Sequence, residues 1–286
     1  MKRRDAVPSD LKVLYEDNHL LIVVKPPGVP TQGDDSGDPS LLDIAKAYIK
    51  KRYNKPGDVY IGMVHRLDRP TGGVVALGRT SKSAARLSDQ FRQRRVKKTY
   101  LAVCQGMPKV RQAKLVHYLK KLPGVNRMVV LDKEKNGSVR AELSYRVMGP
   151  SPDGKQALVE VEPLTGRQHQ IRAQMARIDH PLAFDVKYSN QRSDRAIVPA
   201  IGLWAYRLRL THPVTGKPMT FTSRPEPTAG SAWEPFADLL RAGEEEVEEK
   251  PPARDRERAG EPPRRPGNTL KRDRDKRTKR PDRGSR

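Results

Sequence analysis

Two β-rich runs, Lys12-Val13-Leu14-Tyr15-Glu16 and Leu20-Leu21-Ile22-Val23-Val24-Lys25, are separated only by Asp17-Asn18-His19, and no other stretch constrains the fold as much. A link this short returns a strand antiparallel to its neighbour, whereas a parallel partner needs a long crossover. The chain therefore opens its sheet with a hairpin, which excludes a βαβ dinucleotide-binding start. Further runs of strand character lie at Tyr60–Val64, Val74–Leu77, Lys97–Val103, Ala141–Val147 and Ala157–Val161, the last two joined by a Pro-Ser-Pro-Asp-Gly turn at 150–154. A late β region covers Ala205–Leu210 and Met219–Phe221 around His212-Pro213-Val214-Thr215-Gly216. Residues 105–138, rich in Lys, Pro and Gly, show no clear period.

Helices are fewer. Ser40 and Asp43 have capping-box spacing ahead of Leu41, Ile44, Ala45, Tyr48 and Ile49, which recur at helical period. Thr80 or Ser81 can cap a second helix packing through Ala84, Leu87, Ser88 and Phe91, and Ile171, Met175 and Ile178 form the stripe of a third. Trp233–Leu240 is a short amphipathic helix. The pattern is α+β: one mixed domain over residues 11–242 with a mostly antiparallel central sheet flanked by helices. A frayed arm at 1–10 precedes it. A charged tail at 243–286, almost without large apolar residues, is expected to be disordered.

The net charge is +23, and residues 244–286 hold 15 Lys and Arg against 11 Asp and Glu, which leaves about +19 on residues 1–243. A folded body so basic attracts polyanions, an RNA or DNA backbone ahead of an acidic membrane surface. Leu20–Val24, the longest strongly apolar run, is too short to span a bilayer, and no apolar segment follows the charged start, so a soluble, cytoplasmic protein without membrane contact is expected. Cys104 is the only cysteine, which excludes an internal disulfide or a Cys-based zinc site. His65, His169, His180 and His212 lack a ligand spacing, so no metal is expected.

The most chemically equipped loop is Val64-His65-Arg66-Leu67-Asp68-Arg69-Pro70-Thr71-Gly72-Gly73, set between apolar segments. It holds one carboxylate, Asp68, between two guanidinium groups, and Pro70 can stiffen it. Alone, that composition fits a structural ion pair as well as a reactive carboxylate. Tyr100 alternates with Ala102 along a strand and alone would be a core residue.

Taken together, His65-Arg66-Leu67-Asp68-Arg69-Pro70-Thr71-Gly72-Gly73, Lys98-Thr99-Tyr100 and Leu164-Thr165-Gly166-Arg167-Gln168-His169-Gln170-Ile171-Arg172 resemble, in order and spacing, three motifs of the RluA family of pseudouridine synthases. Smaller echoes are Glu16–Leu20 with Lys25–Gly28, and Tyr206–Leu208 with His212–Gly216, so that the resemblance spans roughly residues 11–225. It implies isomerisation of uridine to pseudouridine in a structured rRNA or tRNA by a monomer without cofactor or metal. Asp68 would be the catalytic nucleophile, attacking the sugar C1′ or the base C6, or deprotonating the sugar in a glycal route. Tyr100 would stack on the uracil and assist proton transfer, and Arg172 would pair with Asp68, for which its guanidinium fork is suited bidentately. A stacked base must be flipped out to reach a carboxylate, and Arg66 resembles the arginine that enters the vacated space. Arg69, His65 and Arg167 complete the expected RNA-contacting set.

His169 is read as a structural hydrogen-bonder, and Asp185 and Tyr188 as residues that fix their loop. The chain departs from the family pattern at Gly72, where Ser is common, at Phe184, where a Gly commonly precedes Asp185, and at Trp204, where His is usual. Gly72 is expected to loosen the loop and Phe184 to alter a turn. A catalytic part that starts near residue 11 leaves no room for the small S4 domain that many relatives carry first. The competing reading is a non-catalytic RNA-binding or ribosome-assembly factor with the same fold. Generic DNA binding lacks any helix-turn-helix or finger pattern.

Overall fold

The hairpin forms where the sequence places it. Strands β1 (Val13–Glu16) and β2 (Leu20–Lys25) pair antiparallel across a turn closed by Asp17, whose Oδ1 accepts from the backbone N–H of His19 and Leu20 at 2.8 and 2.7 Å. The structure, a computed structural model, describes residues 11–122, 124, 126–189 and 200–248, with side chains as far as 242. The arm expected at 1–10 lies outside the described residues.

Helix α1 (Leu41–Arg52) follows the hairpin, with the full Ser40–Asp43 capping box in place. Strands β3 (Gly62–Met63) and β4 (Gly72–Gly78) bracket the Asp68 loop, and helix α2 (Ser81–Arg92) starts from Thr80, which forms its own box with Ser83. Then come β5 (Lys97–Gln105), β6 (Gln112–Lys121), β7 (Met128–Leu131), β8 (Val139–Pro150), β9 (Gln156–Pro163), helix α3 (Gln170–Arg177), β10 (Leu203–Thr211) and β11 (Pro218–Thr222). A 3-10 turn, Glu234–Phe236, leads into α4 (Ala237–Glu248), which runs past Gly243, where the tail was expected to begin; residues 249–286 are outside the described set.

Among the described residues the eleven strands form one sheet in the order β1-β2-β4-β10-β5-β9-β8-β6-β7, with β3 on β4 and β11 on β10. Every pairing is antiparallel except β4 with β10, where Gly72 faces Trp204 and Gly73 faces Ala205. Strands β2 and β4 are buried along their whole length because both faces are covered. Leu21, Val23, Val75 and Leu77 pack under α1, while Leu20, Ile22, Val74 and Ala76 meet Leu87 of α2 and Phe221 of β11. At about 1.5–3 kcal/mol per fully buried aliphatic side chain, this double cover anchors the strand that delivers the Asp68 loop. Farther along, Ile171 and Met175 of α3 pack on Val159, Val161 and Leu143, and Trp233, Phe236 and Leu240 cover Leu101, Val103 and Leu158 on the opposite face.

The packing face of α2 differs from the expected one. Ser88 is exposed, and Ser83 and Gln90 are buried with Ala84 and Leu87. Gln90 is a polar residue whose amide copies a strand edge, accepting from Thr211 N at 2.9 Å and donating to Thr211 O at 2.7 Å, so its burial leaves no polar group orphaned.

Candidate active site

The Asp68 loop is pinned from below by the chain that leaves β2. Thr31 Oγ1 donates to Leu67 O at 2.8 Å and accepts from Leu67 N at 3.2 Å. The fully buried Lys25 places its ammonium on three carbonyls, Pro26 O at 3.0 Å, Val29 O at 2.6 Å and Arg69 O at 3.0 Å. Burial pushes the Lys25 amine down to about 7; the Asp68 charge pulls it up and Arg69 lowers it further. Thr71 N donates to Asp68 O at 3.0 Å and closes the turn. A carboxylate on so restrained a loop is preorganised, and little motion is needed to aim it.

Neither neighbouring arginine pairs with Asp68. Arg69 turns to the 28–38 loop, where it binds Gly28 O at 2.9 Å and Asp34 at 3.3 Å and also pairs with Asp38. Arg66 is exposed and makes no hydrogen bond or ion pair among the described residues. The counter-charge comes instead from α3: Arg172 Nη1 lies 3.1 Å from Asp68 Oδ2. Asp68 keeps 27 % of its side chain exposed while Arg172 keeps 3 %.

The bidentate fork goes elsewhere. Arg172 Nε and Nη2 each donate at 2.7 Å to the two oxygens of the fully buried Asp185, so that Asp68 is met by Nη1 alone. Burial disfavours the Arg172 charge, and the hydrogen bonds and fields of Asp185 and Asp68 outweigh it and raise its pKa above the ordinary value. Two carboxylates thus share one guanidinium, and Asp68 is the exposed member of the pair. His169 stands close by, its Nε2 3.8 Å from Asp68 Oδ2 and its Nδ1 3.1 Å from the Tyr188 hydroxyl. Burial lowers the His169 pKa against the pull of Asp68, so the ring is neutral near pH 7. Tyr188 in turn accepts from Met128 N at 2.7 Å, which fixes β7 to the site.

Asp68 opens on a cavity of about 510 Å³ lined by Tyr100, Ile171, Leu164 and Thr71, with Arg66, Arg92, Arg94 and Arg167 around it. Tyr100 stands half-buried on β5, and burial, reinforced by the Asp68 charge, raises its pKa, so the hydroxyl stays protonated. Arg167 is exposed and donates to Arg140 O at 3.2 Å. His65 lines the same cavity, but its Nε2 accepts from Ala76 N at 2.9 Å and its ring stacks on Phe91 at 4.5 Å. Burial, with the nearby Lys98 charge, pushes the His65 pKa down to about 3. Asp68, Tyr100, Arg172, Arg66, Arg167 and His65 therefore converge on one cavity, while Arg69 faces away toward the 28–38 loop. Among the described residues no cluster of His, Cys, Asp and Glu could hold a metal ion, and no helix is long and apolar enough to cross a membrane.

Residues 19–177 match the family described as RNA pseudouridylate synthase. The chain belongs to that family. It is 34% identical over 231 residues to the tRNA pseudouridine synthase C of Yersinia pestis, covering 75% of this chain and 86% of that one. It is 33% identical over 217 residues to the dual-specificity RNA pseudouridine synthase RluA of Escherichia coli, covering 74% and 91%. A longer relative, the ribosomal large subunit pseudouridine synthase C of Buchnera aphidicola, is 32% identical over 218 residues, and the chain spans 65% of its length. The solved structure of human RNA pseudouridylate synthase domain containing 4 shares the fold, with a TM-score of 0.65 at 22% identity over 80% of this chain and 93% of that one.

Two departures from the pseudouridine synthase pattern meet at one point. A Cβ on Gly72 would lie 2.2 Å from Trp204 Cζ3 and 2.6 Å from Cε3, so the indole occupies the space a Ser would need. Gly72 is fully buried in strand β4 rather than loosening the loop. Gly73, at φ +119, has Ala205 O where its own Cβ would stand, 2.3 Å away, which is how β10 comes so close. Phe184 takes the left-handed φ of 58° at the position where the family commonly has Gly, and it packs against the cluster of Trp233 and Tyr206.

The residue patterns alone did not show the roles of Asp185, His169 and Lys25. Asp185 and His169 had a signal: a buried arginine has five N–H donors, more than Asp68 alone can accept, and so requires a second acceptor, and His169 sits three residues before Arg172. For Lys25 the signal was a lysine ending an otherwise apolar strand.

Proposed function

We propose that the protein isomerises uridine to pseudouridine in ribosomal or transfer RNA, as an RluA-type synthase with Asp68 as its catalytic nucleophile. The observation that carries this reading is the partly exposed Asp68 carboxylate, held 3.1 Å from the buried Arg172 and opening on the Tyr100 cavity. The relatives named above act on tRNA, on the large ribosomal subunit, or on two kinds of RNA, according to their names.

The chemistry follows from the residues. A flipped uridine enters the cavity and stacks on Tyr100, an interaction of about 1–3 kcal/mol per base. Arg66, exposed and unpaired at the mouth, fills the gap left in the RNA stack, while Arg92, Arg94 and Arg167 meet phosphates. Asp68 reacts as a nucleophile, its carboxylate held by an Arg172 N–H while Asp185 occupies the fork of that guanidinium. The N1–C1′ bond breaks, the uracil turns, and a C5–C1′ bond forms; C5 then loses its proton and N1 gains one. Tyr100, protonated at rest, can relay a proton in the last step. The chemistry needs no redox partner, and a soluble, cytoplasmic monomer suffices for it.

The test is to incubate the full chain with tRNA and rRNA transcripts and to map pseudouridine chemically. Conversion at one or a few positions by wild type, and none by D68A, supports the proposal. No conversion of any transcript would contradict it, and a non-catalytic RNA-binding protein would take its place.

A further inference from the structure

Lys98 lines the cavity without pairing with any of the site's other residues. It stands two residues before Tyr100 on β5, and alternate residues of a strand share a face, so both side chains line the same cavity. A Cβ on Gly166 would lie 3.3 Å from Lys98 Nζ, which places the ammonium against the turn that precedes Arg172. Among the described residues it makes no hydrogen bond and no ion pair. The other charged groups of the cavity are partnered or exposed: Asp68 has Arg172, Arg167 has Arg140 O, Arg92 has Asp89, and Arg66 and Arg94 face solvent. Burial alone lowers the Lys98 pKa, with no carboxylate to offset it. A half-buried ammonium without an acceptor carries an uncompensated desolvation cost, and binding sites hold such groups when the ligand brings the acceptor.

Resting on the reading of this cavity as the uridine site, we propose that Lys98 contacts the base itself, its ammonium donating to a carbonyl oxygen of the uracil stacked on Tyr100. The position decides against a phosphate, because phosphates stay on the RNA surface, where the exposed arginines of the rim meet them, and Lys98 sits behind that rim. The chemistry fits the base. Uracil presents a carbonyl oxygen at both C2 and C4, whereas cytosine keeps the C2 carbonyl but presents an amino group at C4; a donor-only ammonium aimed at position 4 therefore pairs with uracil and not with cytosine. The same contact strengthens when the base is detached, since the negative charge of the freed uracil lies on its carbonyl oxygens.

The experiment uses the full chain and a transcript position that wild type converts, carrying uridine, 2-thiouridine or 4-thiouridine, with wild type compared with K98M and with K98Q as a second variant. A thiocarbonyl is the weaker acceptor. The expected result is a single-turnover rate about 10–100-fold lower for K98M with uridine, at unchanged RNA affinity and salt dependence. One thio substitution should slow wild type but not slow K98M further. Thio effects that persist in K98M overturn the proposal, as does a K98M rate equal to wild type. A loss confined to RNA affinity, with a shallower salt dependence, also overturns it and makes Lys98 a phosphate contact. Should both variants fail to fold, equal wild-type rates on all three transcripts overturn it. An inactive wild type refutes the parent reading, while an active wild type indifferent to Lys98 and to sulfur refutes this one alone.

Discussion

Gly72→Ser puts a side chain where the Trp204 indole already lies. The nearest ring atoms to the new Cβ would be Cζ3 at 2.2 Å, Cε3 at 2.6 Å and Cη2 at 3.0 Å. Ordinary carbon contacts are about 3.5–4.0 Å, so the ring must withdraw by roughly 1.5 Å. It cannot do so freely, because Nε1 donates to Ser223 O at 2.7 Å and the ring packs with Tyr206 and Phe184. Overpacking of this kind costs about 1–3 kcal/mol, and breaking the indole hydrogen bond adds about 0.5–1.5 kcal/mol, so about 2–4 kcal/mol is expected. For a domain of this size that lowers Tm by about 4–16 °C. All three clashing atoms belong to the six-membered half of the indole, which a histidine lacks. Trp204→His alone opens a cavity and is destabilising, but with Gly72→Ser the serine occupies part of the space released. Denaturant unfolding of the four proteins forms a cycle with an expected favourable coupling of about 1–3 kcal/mol. Effects that add within about 0.5 kcal/mol would refute the idea that Gly72 and Trp204 are one compensated pair.

Three further predictions address the site. Asp185→Ala strands a buried guanidinium and should cost about 3–5 kcal/mol in denaturant unfolding, whereas Asp185→Asn, keeping one acceptor, should cost about 1.5–3 kcal/mol and still slow pseudouridine formation. Lys25 gives up its proton near pH 7 in the folded chain and near 10.5 when unfolded. The unfolded state therefore binds more protons between those values. Wild type should gain stability over Lys25→Met as pH rises through that window, by at most about 1.4 kcal/mol per pH unit; parallel pH profiles would disprove the assignment. Tyr100→Phe keeps the stacking ring and should retain RNA affinity while turning over about 100-fold or more slowly, and Tyr100→Ala should weaken binding as well, by about 1–3 kcal/mol in a filter-binding assay.

Local features of the fold were legible where the physics is local. The three-residue turn after Glu16 fixed the hairpin, and Ser40 with Asp43 marked the start of α1. Strands β6 and β7 were not legible because β6 is exposed or half-exposed at most positions and carries lysines, so its apolar alternation is weak. Nor could local pattern show that β10 inserts beside β4, since that neighbour is more than a hundred residues earlier and the close approach depends on Gly73. In the site, motif order pointed to Asp68, Tyr100 and Arg172, which the fold brings to one cavity. What the sequence could not rank was partner choice. Arg66 and Arg69 lie within two residues of Asp68 in sequence, yet neither pairs with it, and the buried Arg172 is held chiefly by Asp185. Hydrogen-bond geometry across elements decides that, and spacing along one element does not carry it.

The most direct test of the central claim is Asp68→Asn assayed for both RNA affinity and pseudouridine formation on the same transcript. The variant is close to isosteric and sits at a partly exposed position, so the fold and RNA binding should survive. The account predicts unchanged affinity with no pseudouridine formed in a single turnover; conversion by Asp68→Asn at the wild-type rate would contradict it.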